Sequence, residues 1–113
     1  MTEVLATDEF REWYLDLSEA DADSVTISVE RLEQLGIALP YPHSSEIRQS
    51  AHGLRELRMA AGHSPLRVLY AFDPRRHAVL LLGGNKAENK RFYRELVPRA
   101  EAIWERYLDD TKE

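Results

Sequence analysis

The chain lacks cysteine, so it can form neither a disulfide framework nor a thiolate metal site. A small chain without such cross-links fits a reducing compartment, and we therefore expect a cytoplasmic location. Long hydrophobic runs are also missing, because the longest, residues 78–82, is far below the roughly 20 residues that span a bilayer. The acidic N-terminus does not resemble a secretory signal. We expect no membrane association.

What the chain does contain is typical of one globular domain. It has 113 residues, of which 43% are hydrophobic and 31% charged, and it shows no repeat or Gly/Ser linker. We therefore predict a single domain over residues 1–113.

Charge is distributed unevenly along the chain. The formal net charge of −5 by itself argues against nucleic-acid binding, since phosphates repel an acidic surface. However, residues 1–54 carry a net −8, residues 55–99 a net +6 and residues 100–113 a net −3. This asymmetry indicates an anionic partner for the middle segment and leaves open a solvated charge mosaic.

Two helices are predicted at the N-terminus. Thr7 can cap the first, whose apolar stripe has helical spacing, and the second starts near Ser18 to Asp21 and ends at Gly36. A loop follows through Pro40, Pro42 and residues 44–45.

Strands and a last helix make up the rest of the prediction. Alternation predicts strands over residues 54–59, 66–72 and 77–82, with turns at 61–63 and 73–76 and an end of the sheet at residues 83–84. A C-terminal helix follows, in which Pro98 predicts a kink or a fresh start. The order α-α-β-β-β-α predicts an α+β fold with helices on one face of an antiparallel sheet.

Three short motifs in this order are informative: residues 54–58 (LRELR), residues 66–70 (LRVLY) and residues 80–86 (LLLGGNK) leading to residues 90–93 (KRFY). Here the sequence resembles the RelE/HigB toxin family, especially its phage-related HigB-like branch. The likeness extends over roughly residues 4–108, with the specific motifs between about 54 and 93. It implies a RelE-like fold with two N-terminal helices packed on a small antiparallel sheet.

The resemblance also implies a function. Members are toxins of type II toxin–antitoxin systems that cleave messenger RNA, usually in the ribosomal A site, by attack of a ribose 2′-hydroxyl on the adjacent phosphate. A cognate antitoxin, expected to be a helix-turn-helix protein from the adjacent gene, would neutralise the toxin. Arginine and lysine can neutralise the phosphate charge, and no metal-ligand cluster is recognisable, so we expect neither a metal nor another cofactor.

The family pattern assigns residues to this chemistry. Arg67 maps onto the characteristic catalytic arginine, Arg58 onto the arginine of Glu-Leu-Arg, Lys86 onto the basic position after the last strand, and Tyr93 onto a further catalytic position. The expected RNA-binding residues are Arg55, Lys90, Arg91 and Arg94. Because Arg67 is expected to be exposed, Arg67→Ala should remove activity with little effect on folding. A position for Arg67 on a helix-covered face would contradict this site.

Structural explanations stay open for the same residues. Arg58 or Arg67 can pair with Glu56 or Asp73, and Tyr93 begins an apolar stripe that fits core packing equally well. Glu56 departs from the pattern, since some ribosome-dependent members have lysine there. The glycines at 83–84 can form a phosphate nest or simply a turn.

The roles of the four histidines and the choice between alternative functions also stay open. His43, His52, His63 and His77 have no metal-ligand spacing, and surface exposure is the default for each, although His52 or His63 can assist as a base. The alternatives to RNA cleavage are a ParE-like toxin, which shares the fold but poisons DNA gyrase, and a catalytically silent member of the same fold.

Overall fold

The computed structural model describes residues 1–59 and 64–112. These residues form an α+β domain, as predicted from the order of the sequence patterns. The described helices and strands are, in chain order, β1 Val4–Ala6, α1 Asp8–Leu15, α2 Glu19–Leu35, β2 Ser44–Glu46, β3 Arg55–Arg58, β4 Leu66–Phe72, β5 Ala78–Asn85 and α3 Phe92–Asp110. The turn predicted at residues 61–63 lies outside the described residues.

The sheet has five strands in the order β1-β5-β4-β3-β2. The predicted antiparallel meander is present as β3, β4 and β5, and β2 extends it on one side. β1 pairs in parallel with β5, so the sheet is mixed rather than wholly antiparallel. Neither edge strand was predicted, because each has only three residues and owes its extended form to pairing with a neighbouring strand.

Helices cover both faces of the sheet, which corrects the expectation of one covered face. On one face, Phe10 of α1 and Val25 and Leu32 of α2 pack with Val68 and Leu80. On the other face, α3 packs against a second apolar cluster that includes Leu69, Ala71, Val79 and Leu81. The central strands are therefore apolar on both sides, which explains why alternation between polar and apolar residues is weak in β4 and β5.

Both N-terminal helices begin as the sequence predicts, and α2 also ends at the predicted residue. The Thr7 hydroxyl accepts a hydrogen bond from the Phe10 N–H, and the Ser18 hydroxyl accepts one from the Asp21 N–H. Gly36 ends α2 with a positive φ of 54°, a conformation that glycine adopts without steric cost. These local signals fix the helix bounds before any packing is considered.

The glycine pair at residues 83–84 does not end the sheet. Both glycines lie within β5, which continues to Asn85. A Cβ on Gly83 would collide with the Trp13 ring, and one on Gly84 would lie 2.8 Å from atoms of Phe92 and Leu96. Because the glycines have no side chain, α1 and α3 can pack closely on the two faces of β5. As part of a strand, the glycines form neither a turn nor a phosphate nest.

Pro98 lies inside α3 and does not start a new helix. The helix continues on both sides of it from Phe92 to Asp110, because its apolar side is held on the sheet by residues before and after the proline, among them Leu96, Ala100 and Trp104. None of the helices in the described part of the chain is long and apolar enough to cross a membrane.

The predicted turn after β4 is closed by Asp73, which is buried. Its carboxylate accepts hydrogen bonds from the backbone N–H groups of Arg75 and His77 and from the Tyr107 hydroxyl, the last at 2.7 Å. Burial favours a higher pKa for Asp73, but the bonds from Tyr107 and His77 outweigh it and lower the pKa. This network joins the turn to α3.

Candidate functional site

Arg58 and Arg67 are direct cross-strand partners at one end of β3 and β4. Residues directly opposite in an antiparallel pair lie on the same face, as the alternation of the sequence predicts. That face is the one that α3 covers, since Leu69 and Ala71, two and four positions after Arg67, belong to the α3-side core. The two arginines therefore lie together, near the beginning of α3. Arg67 thus lies on a helix-covered face, and this position contradicts the expected site in which Arg67 is the exposed arginine that binds the phosphate.

Arg67 is buried, contrary to the expectation of an exposed arginine, and retains only 4% of its exposure. Its guanidinium donates hydrogen bonds to the backbone carbonyls of Ser64 and Leu66. Its Nε lies 3.5 Å from a carboxylate oxygen of Glu56, although the contact lacks the geometry of a hydrogen bond. The pairing of Arg67 with Glu56, one of the alternatives drawn from the sequence, is thus confirmed.

Glu56 is the anionic centre of this cluster. It is 5% exposed, and its two carboxylate oxygens accept hydrogen bonds from the Tyr93 hydroxyl at 2.8 and 3.0 Å. A buried carboxylate is costly unless it is paired, and here Arg67 and Tyr93 supply the compensation. The departure from the family pattern at this position therefore has a structural role: Glu56 ties β3 to β4 and to the first turn of α3.

Tyr93 packs against the core, as one of its two interpretations predicted, while its catalytic role stays a prediction. Its ring packs at the margin of the α3-side core, while its hydroxyl reaches Glu56. Burial and the neighbouring carboxylate raise the pKa of Tyr93 to about 12, with the Arg67 charge acting in the opposite sense. The hydroxyl is consequently a neutral hydrogen-bond donor at physiological pH.

The accessible positive charge next to this buried network comes from Lys86. Lys86 follows β5, and its ammonium lies 5.4 Å from the centre of the Tyr93 ring, within the range of a cation–π contact. Further exposed cations follow at the start of α3, namely Lys90, Arg91 and Arg94. Lys86 is thus an exposed basic residue that directly adjoins the Tyr93–Glu56–Arg67 network.

Arg58 is half-buried at the other side of the cluster. Its guanidinium carbon lies 5.2 Å from the centre of the Tyr41 ring, a cation–π contact with an exposed loop residue. Its Nε is buried and has no hydrogen-bond partner among the described residues. The charge of Arg58 is not matched by a carboxylate in that part of the chain, in contrast to the charge of Arg67.

Two other candidates lie away from this cluster. Arg55 has the opposite orientation in β3, and its Nε donates to the Ser44 hydroxyl, which in turn bonds the Tyr70 hydroxyl in the α1–α2 core. Arg55 therefore lies apart from this cluster, and its role in RNA binding stays a prediction. His52 lies in a loop with its imidazole 2.9 Å from Glu105, near the end of α3, and His63 is outside the described residues.

The arrangement can hold a phosphate while the buried Arg67–Glu56 pair stays intact. Lys86 and Arg58 provide cationic groups on either side of the network, and Glu56 keeps Arg67 and Tyr93 fixed. A group of three or more histidine, aspartate or glutamate side chains placed to bind a metal ion was not found among residues 1–59 and 64–112.

Fold and site together define a small sheet domain with a partly buried, mainly basic cluster under the first turn of its last helix. The model of the phage-derived Gp49-like protein family matches residues 12–105. The chain belongs to this family.

Relatives with names support the same relationship. The chain is 37% identical over 107 residues to HigB3 of Mycobacterium tuberculosis, which is named as a candidate toxin. The aligned region covers 93% of this chain and 92% of HigB3. It is 36% identical over 106 residues to HigB2 of the same organism, also named as a candidate toxin, covering 88% of this chain and 53% of HigB2. No solved structure matches. The predicted relationship to HigB-like toxins is confirmed.

Sequence reasoning named most of this cluster and the possible Arg67–Glu56 pair, but it missed the hydrogen bond between Tyr93 and Glu56. The spacing of Glu56 and Arg67 carried a usable signal, because Glu56 lies opposite Leu69 and thus diagonally next to Arg67 on the same face. No signal in the sequence indicated Tyr41, which comes near Arg58 only through the course of the loop after α2.

Proposed function

We propose that this chain is the toxin of a type II toxin–antitoxin pair and that it cleaves messenger RNA, with an antitoxin as its inhibitor. The observation that carries the proposal is the position of Lys86 and Arg58 beside the buried Tyr93–Glu56–Arg67 network. Membership of a family with toxin relatives supports it.

The proposed reaction is an intramolecular phosphoryl transfer within RNA, from the 5′-oxygen to the neighbouring ribose 2′-oxygen. The ribose 2′-oxygen forms a bond to the adjacent phosphorus, the bond from phosphorus to the 5′-oxygen breaks, and the 2′-hydroxyl proton is lost while the 5′-oxygen gains one. Negative charge grows on the phosphate oxygens during this step. Cationic groups already fixed beside those oxygens stabilise the transition state, and such electrostatic stabilisation often contributes more to the rate than any other effect.

We propose different roles for the exposed and the buried groups of this cluster. Lys86 and the half-exposed Arg58 are proposed to contact the scissile phosphate, and Tyr93 to border it with its ring and hydroxyl. Arg67 is proposed to act through Glu56, as a positioning residue, because its guanidinium is already bonded to backbone carbonyls. Lys90, Arg91 and Arg94 are proposed to bind neighbouring phosphates of the RNA strand.

The test is cleavage of a defined transcript during cell-free translation, with the ends of the fragments mapped. Lys86→Ala and Arg58→Ala should each lower the rate at least about tenfold, the effect of losing about 1.4 kcal/mol of transition-state stabilisation. Lys112→Ala and Arg48→Ala, which remove exposed charges elsewhere, are the matched controls and should cleave normally.

Two results would reject the nuclease. Variants at Lys86 and Arg58 that cleave as fast as the wild type would remove these residues from the site. A wild-type protein that arrests growth while transcripts stay intact and DNA is broken would instead identify the gyrase-poisoning activity.

A further inference from the structure

The face of the sheet opposite to Arg67 carries an apolar groove that the proposed reaction does not use. Its floor is formed by Val4 and Leu80, and its walls by Phe10 of α1 and Val29 of α2. The groove has a volume of about 260 Å³. The Tyr14 hydroxyl and the Thr26 hydroxyl, 2.8 Å apart, bridge the two helices beside it.

Charge at the groove has one sign. Glu30 and Glu33 line it, and none of the described residues that line it is a lysine or an arginine. The surrounding segment, residues 1–54, has a net charge of −8. A ligand of this groove must therefore combine apolar side chains with positive charge, because an anionic or purely polar ligand would lose hydration without compensation.

We propose that this groove is the docking site of the antitoxin and that it accepts a segment with apolar side chains flanked by lysine or arginine. The inference rests on the proposed toxin function for the identity of the partner. Apolar residues of the partner would cover Val4 and Val29, which are both partly exposed, and its cations would lie against Glu30 and Glu33. The antitoxin would thus bind on the face away from Lys86 and Arg58.

This location predicts that inhibition and catalysis can be separated. Glu30→Lys combined with Glu33→Lys reverses the rim charge at a distance from the catalytic cluster. The variant should cleave RNA and arrest growth like the wild type, but binding of the antitoxin should weaken at least about tenfold and co-expression should no longer restore growth. Glu46→Lys combined with Asp109→Lys makes the same change in net charge on exposed residues elsewhere and is the control.

The probe is the protein encoded by the adjoining reading frame, co-expressed with the full chain. Affinity is measured by titration, and the docking site by protection of backbone amides from hydrogen exchange in β1 and α2. A variant with Val29→Asp in the groove wall gives an independent reading, with circular dichroism as the folding control.

Protection over β1 and α2, with selective weakening in the Glu30/Glu33 variant, is the expected result. A complex that protects other surfaces and tolerates these changes would overturn the docking site while the RNA-cleavage proposal stands. If a second copy of this chain occupies the groove, or if the neighbouring protein does not bind at all, the inference fails, and RNA cleavage by the free chain is judged separately.

Discussion

Replacement of Arg67 by methionine tests how the buried network is built. Methionine keeps most of the volume of the arginine side chain but removes its charge, so Glu56 remains 5% exposed with no cation against it. Breaking one partner of a buried ion pair costs about 3–5 kcal/mol of folding free energy. An exposed arginine would instead cost within about half a kcal/mol.

The double variant Glu56→Leu with Arg67→Met separates pairing from packing. Removing both charges eliminates the uncompensated carboxylate, and apolar replacements for a buried pair are often neutral or stabilising. We therefore expect the double variant to recover more than half of the stability that Arg67→Met loses. RNA cleavage should not recover with it, because Tyr93 loses the carboxylate that orients its hydroxyl.

The assay is urea unfolding followed by tryptophan fluorescence and circular dichroism. With a slope of roughly 2 kcal/mol per molar urea, which is typical of a small protein, a loss of about 3–5 kcal/mol lowers the midpoint by about 2 M. Arg48→Met, an exposed change of the same chemistry, should leave the midpoint in place. An Arg67→Met midpoint equal to that of the wild type, or a double variant no more stable than the single one, would refute the argument from the buried pair.

Three further predictions concern individual contacts. Lys86→Ala should leave the melting temperature unchanged and lower the salt dependence of RNA binding by roughly 0.7 in log–log slope, measured by filter binding; an unchanged slope would exclude a phosphate contact. Tyr93→Phe should remove one of the titrations near pH 12 from the ultraviolet absorbance. In the wild type, the stability that this hydroxyl contributes is present below pH 10 and should disappear between about pH 10 and 12. If the variant instead lost a titration near pH 10, the buried hydroxyl would be contradicted. Asp73→Asn should cost about 1.5–3 kcal/mol of folding free energy at neutral pH and flatten the loss of stability at acid pH. The reason is that a lowered pKa stabilises the fold at pH values above the ordinary pKa of an aspartate, and this contribution is lost as the pH falls. Thermal melts of the variant from pH 7 to 3 that match the wild type would argue against this role of Asp73.

The sequence by itself determined the local elements and the identity of most candidate residues. Caps at Thr7 and Ser18 and the glycine at position 36 fixed the helices through hydrogen bonds and backbone conformations that span only a few residues. The strand patterns and the turn signals predicted β3 and β4 as neighbouring antiparallel strands, and this pairing is consistent with the shared face of Arg58 and Arg67.

Only the tertiary structure decided the rest, because it depends on residues far apart in the chain. The parallel pairing of β1 with β5 joins residues more than 70 positions apart, and the packing of α3 on one face and of α1 and α2 on the other makes the glycines at 83–84 part of the sheet. The same packing buries Arg67 and turns it toward Glu56, although the sequence led us to expect an exposed side chain. Local patterns carry no information about which helix covers a strand, and burial of a charge follows from that choice.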